Sequence, residues 1–409
     1  MTETKLHALL SPSSAERWMS CLGSTMLTKD LPEVTNDYSD EGTDYHVLAA
    51  VCLDEGTDAT EYVGHFLESG AIVTQENAEA VQVYVDAVRA YAEQGTLLVE
   101  ERVPIGQITG EEGAEGTADA VILRTDHELV VCDLKFGRGV AVSPEQNKQL
   151  MLYALGVLEK HQLVDDFNTV RLVISQPRAG GTQEWVCAMV ELLAFAEEVK
   201  RIGSQIVKTL HLAATTPGGR VDLPLTPSEK ACRFCKAKAE CPALLAEVER
   251  AASVGFDDLE AIPVDTTPSR ADVIGKAMTQ VPLVELWAKA VRAAAETELL
   301  AGRFVTGYKL VQGKKGNRTF SDLEKAEEAL RRTRLKVEEI FEMTLITPTV
   351  AEKRIAKKFP RIWKDLETLI VQKEGVPSVA PESDKRPALT VSKPEDGFEV
   401  VAESADDLI

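Results

Sequence analysis

The sequence predicts an α/β fold, with a mostly helical N-terminal region, a compact α/β core and a mainly helical C-terminal domain. Three observations predict it. Apolar residues recur at helical spacing before residue 95, short β-rich runs broken by Gly, Asp and Thr fill residues 97–192, and helical spacing returns after residue 270.

In chain order, residues 12–29 and 40–55 have helical spacing. The stretch from Gln75 to Gln94 repeats apolar residues every three or four positions before a Gly stop. LLVEERVPI, EGTADAVILR and ELVVCDLKF then read as three strands, Pro144 to Lys160 as a helix, TVRLVISQPR and EWVCAMVEL as two more strands, and the following stretch to His211 as a helix. The order β-β-β-α-β-β defines the core. A Pro/Gly/Thr cluster at 215–228 leads into a Cys-rich segment. Beyond AIPVDTTPS come a helix over 270–301, a hairpin around VTGYKLVQGKKGNRTF and two or three basic helices. The expected organisation is a helical region over 1–95, the core and Cys-rich segment over 96–245, a linker over 246–269, a basic helical domain over 270–385 and a flexible acidic tail over 386–409.

The 409 residues, 44% of them hydrophobic, are too many for one ordinary core. No apolar run reaches the ~18–20 residues of a membrane span, and the N-terminus has no basic stretch followed by an apolar one, so a cytoplasmic protein is expected. Seven cysteines, an odd number, argue for thiols or metal ligands over a disulfide framework. A net charge of −21 argues against nucleic acid as a partner. That charge is unevenly distributed: residues 1–302 carry −22, residues 303–364 carry +8 and the last 45 carry −7. The basic block is either a footprint for a polyanion or a solvated helical face.

The chemistry concentrates in E-G-T-A-Asp119 and, one strand later, Asp133-L-Lys135. Alternation along a strand puts Asp133 and Lys135 on one face with Leu134 on the other, and Asp119 on the neighbouring strand can sit beside Asp133. Two adjacent carboxylates repel unless a divalent cation neutralises them, and hard oxygen ligands suit Mg²⁺ or Mn²⁺. A lysine there can orient or deprotonate water and stabilise charge on a phosphate. Alone, D-x-K also arises by accident on edge strands. The following helix adds Gln149 and Tyr153 at i, i+4, and Glu41-G-T-D-Y-His46 offers a histidine upstream.

This set resembles the RecB-like branch of the PD-(D/E)XK nuclease superfamily. The resemblance implies a restriction-endonuclease-like core in which His46, Asp119 and Asp133 are metal ligands and the Leu134 carbonyl completes the shell. It makes Lys135 the catalytic lysine, has Gln149 and Tyr153 position DNA or the metal site, and has Glu41 support His46. The name-giving Pro-Asp pair stands here as Ala118-Asp119, and Cys132 precedes Asp133.

Cys232, Cys235 and Cys241 have C-x₂-C-x₅-C spacing, which suits a soft metal lacking one ligand. Cys52, Cys132 and Cys187 lie in apolar runs and read as core thiols, which leaves Cys21. One distant and three clustered cysteines resemble the iron–sulfur nucleases of the AddB, RecB-like CRISPR-associated and eukaryotic Dna-two types. There a [4Fe–4S] cluster staples the nuclease domain. A Cys₄ zinc site is the alternative.

The whole chain, through GYKLVQGKKGNRTF and PESDKRPAL, is similar to a phage-encoded family of RecB-like nucleases. That resemblance implies a phage protein in the bacterial host that works on DNA beside a single-strand DNA-binding or annealing protein. The expected activity is a divalent-metal-dependent DNA exonuclease for end resection in recombination or replication. The alternatives are a nuclease-fold DNA-binding or scaffold protein with little catalysis and a structure-selective endonuclease. Lys314, Lys315 and Arg318 in the hairpin, and Arg331, Arg332, Lys357 and Lys358 on the basic helices, are the expected DNA contacts.

Overall fold

The expected β-β-β-α-β-β order forms a single five-stranded sheet in a computed structural model. The structure describes residues 8–32, 37–139, 141–161, 166–216, 223–253, 270–309, 352–353, 356–357 and 360–367. The chain divides into two units, Met1–Val311 and Gln312–Ile409. In the second, the described residues include the helix Pro360–Glu367. No described helix is long and apolar enough to cross a membrane.

The strands are β1 (Gly95–Pro104), β2 (Glu115–Arg124), β3 (Glu128–Leu134), β4 (Thr169–Gln176) and β5 (Gly181–Ala188), in that spatial order. All neighbours pair antiparallel except β3 and β4, which are parallel because a helix crosses between them. Alternation along β3 sends Leu129 and Val131 to one face and Val130, Cys132 and Leu134 to the other. The second face packs on α3 (Asp37–Glu55) and α4 (Gln75–Ala92) through Tyr45, Leu48, Ala49, Cys52, Val81, Val85 and Val88. These positions fall at the helical intervals that a half-buried helix requires. The first face packs on α1 (Ala15–Ser20), α6 (Lys148–His161) and α7 (Met189–Thr215). A short α5 (Gly106–Thr109) links β1 to β2. Cys52, Cys132 and Cys187 are buried in these two cores, as expected of small apolar residues.

Four boundaries differ from the sequence reading. Residues 12–29 form a 3₁₀ turn (Pro12–Ser14), α1 and then α2 (Ser24–Thr28), not one helix. The break at Cys21–Gly23 is tertiary in origin: Gly23 N–H donates to the Pro224 carbonyl at 2.9 Å, and a Cβ at Gly23 would lie 2.7 Å from the Leu223 oxygen. Helix α6 starts at Lys148, not Pro144, where the Asn147 side chain accepts the Leu150 N–H. The last strand ends at Ala188 because the Glu191 carboxylate takes the Ala188 N–H and starts α7, so the apolar VEL of EWVCAMVEL is helical. Part of the expected linker is helical, since α9 (Pro242–Ser253) follows α8 (Glu229–Arg233).

Residues 254–269 lie outside the described residues, as do the acidic tail and residues 310–320 of the expected hairpin. The helix expected from residue 270 forms as α10 (Arg270–Leu300), and its Leu283 packs with Cys232, Cys241 and Leu244.

Gly116, in the E-G-T-A-D run, owes its identity to a close approach. A Cβ there would meet Pro12 Cγ at 2.8 Å and the Tyr153 ring at 2.9 Å. Gly116→Ala is expected to destabilise the fold by about 1–3 kcal/mol, since neither neighbour is free to yield. Urea unfolding of the variant beside wild type measures it.

Candidate active site

The sheet creates the site by dividing. The β2–β3 ladder stops at Ala120↔Cys132, whereas β3 stays with β4 through Leu134↔Ser175, and the Lys135 N–H continues to the Ser175 carbonyl at 2.8 Å. Asp119 and Asp133 are the next residues on the two diverging strands. In place of the missing rung, Asp119 Oδ2 accepts the Leu134 N–H at 2.7 Å, so its carboxylate stands in the gap. The gap lies at the carboxyl end of β3 and in the amino-terminal half of the antiparallel β2.

The predicted residues converge there. His46 Nδ1 lies 3.3 Å from Asp119 Oδ2. Asp133 is 2% exposed, and its Oδ1 accepts from Lys135 Nζ and Gln149 Nε2, each at 3.1 Å. Lys135 Nζ also donates to Gln149 Oε1 at 3.2 Å, and Gln149 Nε2 reaches the Tyr153 hydroxyl at 3.2 Å. The i, i+4 spacing on α6 therefore acts as read, with Tyr153 behind Gln149 and Gln149 between Lys135 and Asp133. Asp133 Oδ2 is buried and makes no hydrogen bond. Lys135 Nζ lies 2.8 Å away, in an ion-pair contact without hydrogen-bonding direction.

Electrostatics follow from burial. Loss of solvent raises the Asp133 carboxyl above the ordinary range, Lys135 pulls it back and Asp119 pushes it up again. Burial depresses Lys135, but the charge and hydrogen bond of Asp133 outweigh it and hold the ammonium above its ordinary value. Burial likewise depresses His46. The hydrogen bond and charge of Asp119, with Asp133 behind, reverse that and raise it, against Lys135.

Two residues of the site escape a sequence reading. Glu100 faces Asp119 across the β1–β2 ladder, between Val99↔Ala120 and Glu101↔Ala118, with φ of 48°. Such a φ is costly outside glycine and is not readable from V-E-E. Tyr84, on the apolar stripe of α4, looks like core, yet its buried hydroxyl has no hydrogen-bond partner and it lines one pocket with His46, Glu100, Asp119 and Leu134. Glu41 does not support His46. It pairs with Arg178 at 2.9 Å, because the loop after β4 brings that guanidinium under α3.

The Cys-rich segment and the N-terminal helices meet at a second site. Cys21, Cys232, Cys235 and Cys241 are all buried, all free thiols, and line one pocket. Ser228 caps α8 by accepting the Ala231 N–H, which turns Cys232 inward, and the Thr226 N–H donates to Cys21 Sγ at 3.3 Å. Burial pushes the Cys232 thiol up to about 11, with Cys235, Cys21 and Cys241 adding to the effect.

Among the described residues, no three His, Cys, Asp or Glu side chains already stand as a closed ligand set. At the carboxylates, Lys135 occupies the Asp133 oxygens. The donors themselves fit metals of opposite character. The buried, unbonded Asp133 Oδ2 with Asp119 and His46 suits a hard divalent cation, and four converging thiols suit a soft one.

Of the predicted DNA contacts, Lys357 is exposed in a short turn. Lys314, Lys315, Arg318, Arg331, Arg332 and Lys358 lie outside the described residues.

A model of a family described as "Protein of unknown function (DUF2800)" matches residues 7–387. Among solved structures, the chain is similar to one titled "Crystal structure of SSO0001", at 14% identity over 54% of this chain and 94% of that one. The TM-score of that match is 0.23, too low to bear on the fold.

His46 should titrate above its ordinary value of 6.5. A raised group contributes stability that is fully present below the unfolded value and lost as pH rises through the folded one. In Asp119→Asn burial prevails, so the titration should move down and that stability increment should disappear. NMR of the His46 ring protons across pH measures both forms. An unmoved titration in the variant would refute the assignment of Asp119 as its partner.

Proposed function

The chain belongs to the DUF2800 family, and for this member of it we propose a divalent-metal-dependent deoxyribonuclease with a PD-(D/E)XK core of the RecB-like kind. The reading rests on one observation: Asp119 and Asp133 stand together where β3 parts from β2, with Lys135 and Gln149 bonded to Asp133. The favoured activity is exonucleolytic resection of DNA ends in phage recombination or replication, in the host cytoplasm, beside a single-strand DNA-binding or annealing protein. The basic block over 303–364 supports a polyanionic substrate despite the net charge of −21.

His46, Asp119, Asp133 and the Leu134 carbonyl would hold Mg²⁺ or Mn²⁺. When bound, such an ion supplies Lewis acidity toward the phosphate and makes water a better nucleophile. The protein's own residues do the rest. Asp133 holds the Lys135 ammonium above its ordinary value in this structure. Beside a bound ion Lys135 would orient or deprotonate the attacking water and stabilise charge on the phosphoryl oxygens. Gln149 fixes Lys135 and Asp133 in register, and Tyr153 fixes Gln149. Water attacks phosphorus and gives up one proton, the bond to the 3′-oxygen breaks, that oxygen takes up a proton, and a 5′-phosphate remains.

Cys21, Cys232, Cys235 and Cys241 would hold a [4Fe–4S] cluster that joins the N-terminal helices to the segment after the core. Zn²⁺ is the alternative. The expected role is structural, since metal binding at such a site is folding free energy.

Linear DNA should be degraded with Mn²⁺ and left intact with EDTA. Asp133→Asn and Lys135→Ala should each lower the rate by a factor on the order of 10² or more, with the cooperative melting transition retained. Persistent degradation by folded variants would refute the assignment. For the thiols, the purified protein should be brown, with a broad absorption shoulder near ~400 nm that Cys232→Ala removes. A colourless protein containing zinc would select the other metal.

A further inference from the structure

We infer that Arg178 is a phosphate-contact residue, whose guanidinium receives a backbone phosphate of the nucleic-acid strand next to the scissile bond. The inference deepens the nuclease reading and rests on it.

Arg178 lies two residues beyond β4, at the carboxyl end of the parallel β3–β4 pair. The chain leaves β3 through Lys135 into Phe136, and the Arg178 guanidinium carbon sits 4.6 Å from the Phe136 ring centroid. The cation is thus fixed on the side of the sheet that carries Tyr45 and α3, against the residue that follows Lys135 in the chain. Phe136 is itself stacked on Tyr45, the residue before His46, at 4.1 Å between ring centroids.

The Arg178 side chain is only 10% exposed, and Nη1 is 2.9 Å from Glu41 Oε1. Its Nε is buried and has no hydrogen-bond partner. An arginine held by one carboxylate and an aromatic face, with the Nε side of its fork unbonded, is incomplete for a purely structural role. A buried donor left unmet is costly, and a ligand oxygen would relieve that cost. The planar fork matches an oxyanion that can take two donors at once, and a phosphodiester has that form.

Charge supports the same assignment. The first 302 residues carry −22, so a polyanion can approach Asp119 and Asp133 only along local cations. Lys135 is engaged with Asp133, and Arg178 is held on the face of Phe136, beside the helix that carries His46.

The test is equilibrium binding of a short labelled linear DNA duplex to the full-length protein in Ca²⁺, followed by fluorescence anisotropy between about 50 and 200 mM salt. Arg178→Gln is expected to weaken binding on the order of tenfold and to reduce the slope of log K against log salt by about 1. Glu41→Gln removes the ion pair but leaves the guanidinium, so it should keep the wild-type slope. Arg178→Lys should keep the slope and lose affinity, since lysine retains the charge without the fork, and it carries the test should Arg178→Gln not fold.

A wild-type slope in Arg178→Gln, wild-type affinity in Arg178→Lys, or an equal loss in Glu41→Gln would each overturn the inference, the last by showing that Arg178 only pins α3 to the sheet. Failure of the wild-type protein to bind DNA at all would overturn the nuclease reading itself.

Discussion

The structure turns on the burial of the Asp133 carboxylate at the point where β3 leaves β2. A charge withdrawn from water is tolerated only if it is paired and hydrogen-bonded. Asp133 meets that condition through Lys135 and Gln149 at Oδ1, yet its Oδ2 has only the ion-pair contact. The parting of the strands follows from the same economy of polar groups. The Leu134 N–H lacks a rung on β2 and finds the Asp119 carboxylate, while the next N–H finds Ser175 on β4. Asp119 is thereby fixed in the gap by a backbone donor that had to be satisfied, beside Asp133, which Lys135 and Gln149 hold by their side chains.

The layers on either side of the sheet serve this gap. Helix α6 delivers Gln149 and Tyr153 from one face, and the absence of a side chain at Gly116 lets Tyr153 come close. Helix α3 delivers His46 from the other, and the helix itself is anchored by Tyr45 on Phe136 and by Glu41 on Arg178. The stack Tyr45–Phe136–Arg178 ties the histidine-bearing helix to the strand that carries Asp133 and Lys135. The four-cysteine pocket fastens a different pair of segments, the N-terminal helices and the chain after α7, with Leu283 of α10 packed on Cys232 and Cys241.

Much of this was legible because it depends on period. Strand alternation places Asp133 and Lys135 together and Leu134 in the core, and the i, i+4 interval pairs Gln149 with Tyr153. Features set by distant contacts were not legible. The break at Cys21–Gly23 depends on Pro224, about two hundred residues away. Arg178 and Glu41 meet across 137 positions. Tyr84 sits on an apolar stripe where a core tyrosine is the ordinary reading, and the left-handed backbone of Glu100 has no sequence mark. The end of β5 was misplaced because an apolar run continues into α7, and a single carboxylate, Glu191, decides where the strand stops.

On the proposed reading, the gap between β2 and β3 takes a divalent cation through Asp119 and Asp133. Calorimetric titration of the protein with Mn²⁺ tests it without reference to any nuclease assay. Saturable binding is expected, and it should be lost in both Asp119→Asn and Asp133→Asn while these variants keep the wild-type melting transition. Binding that survives both aspartate substitutions, or wild-type protein that takes up no Mn²⁺, would contradict it.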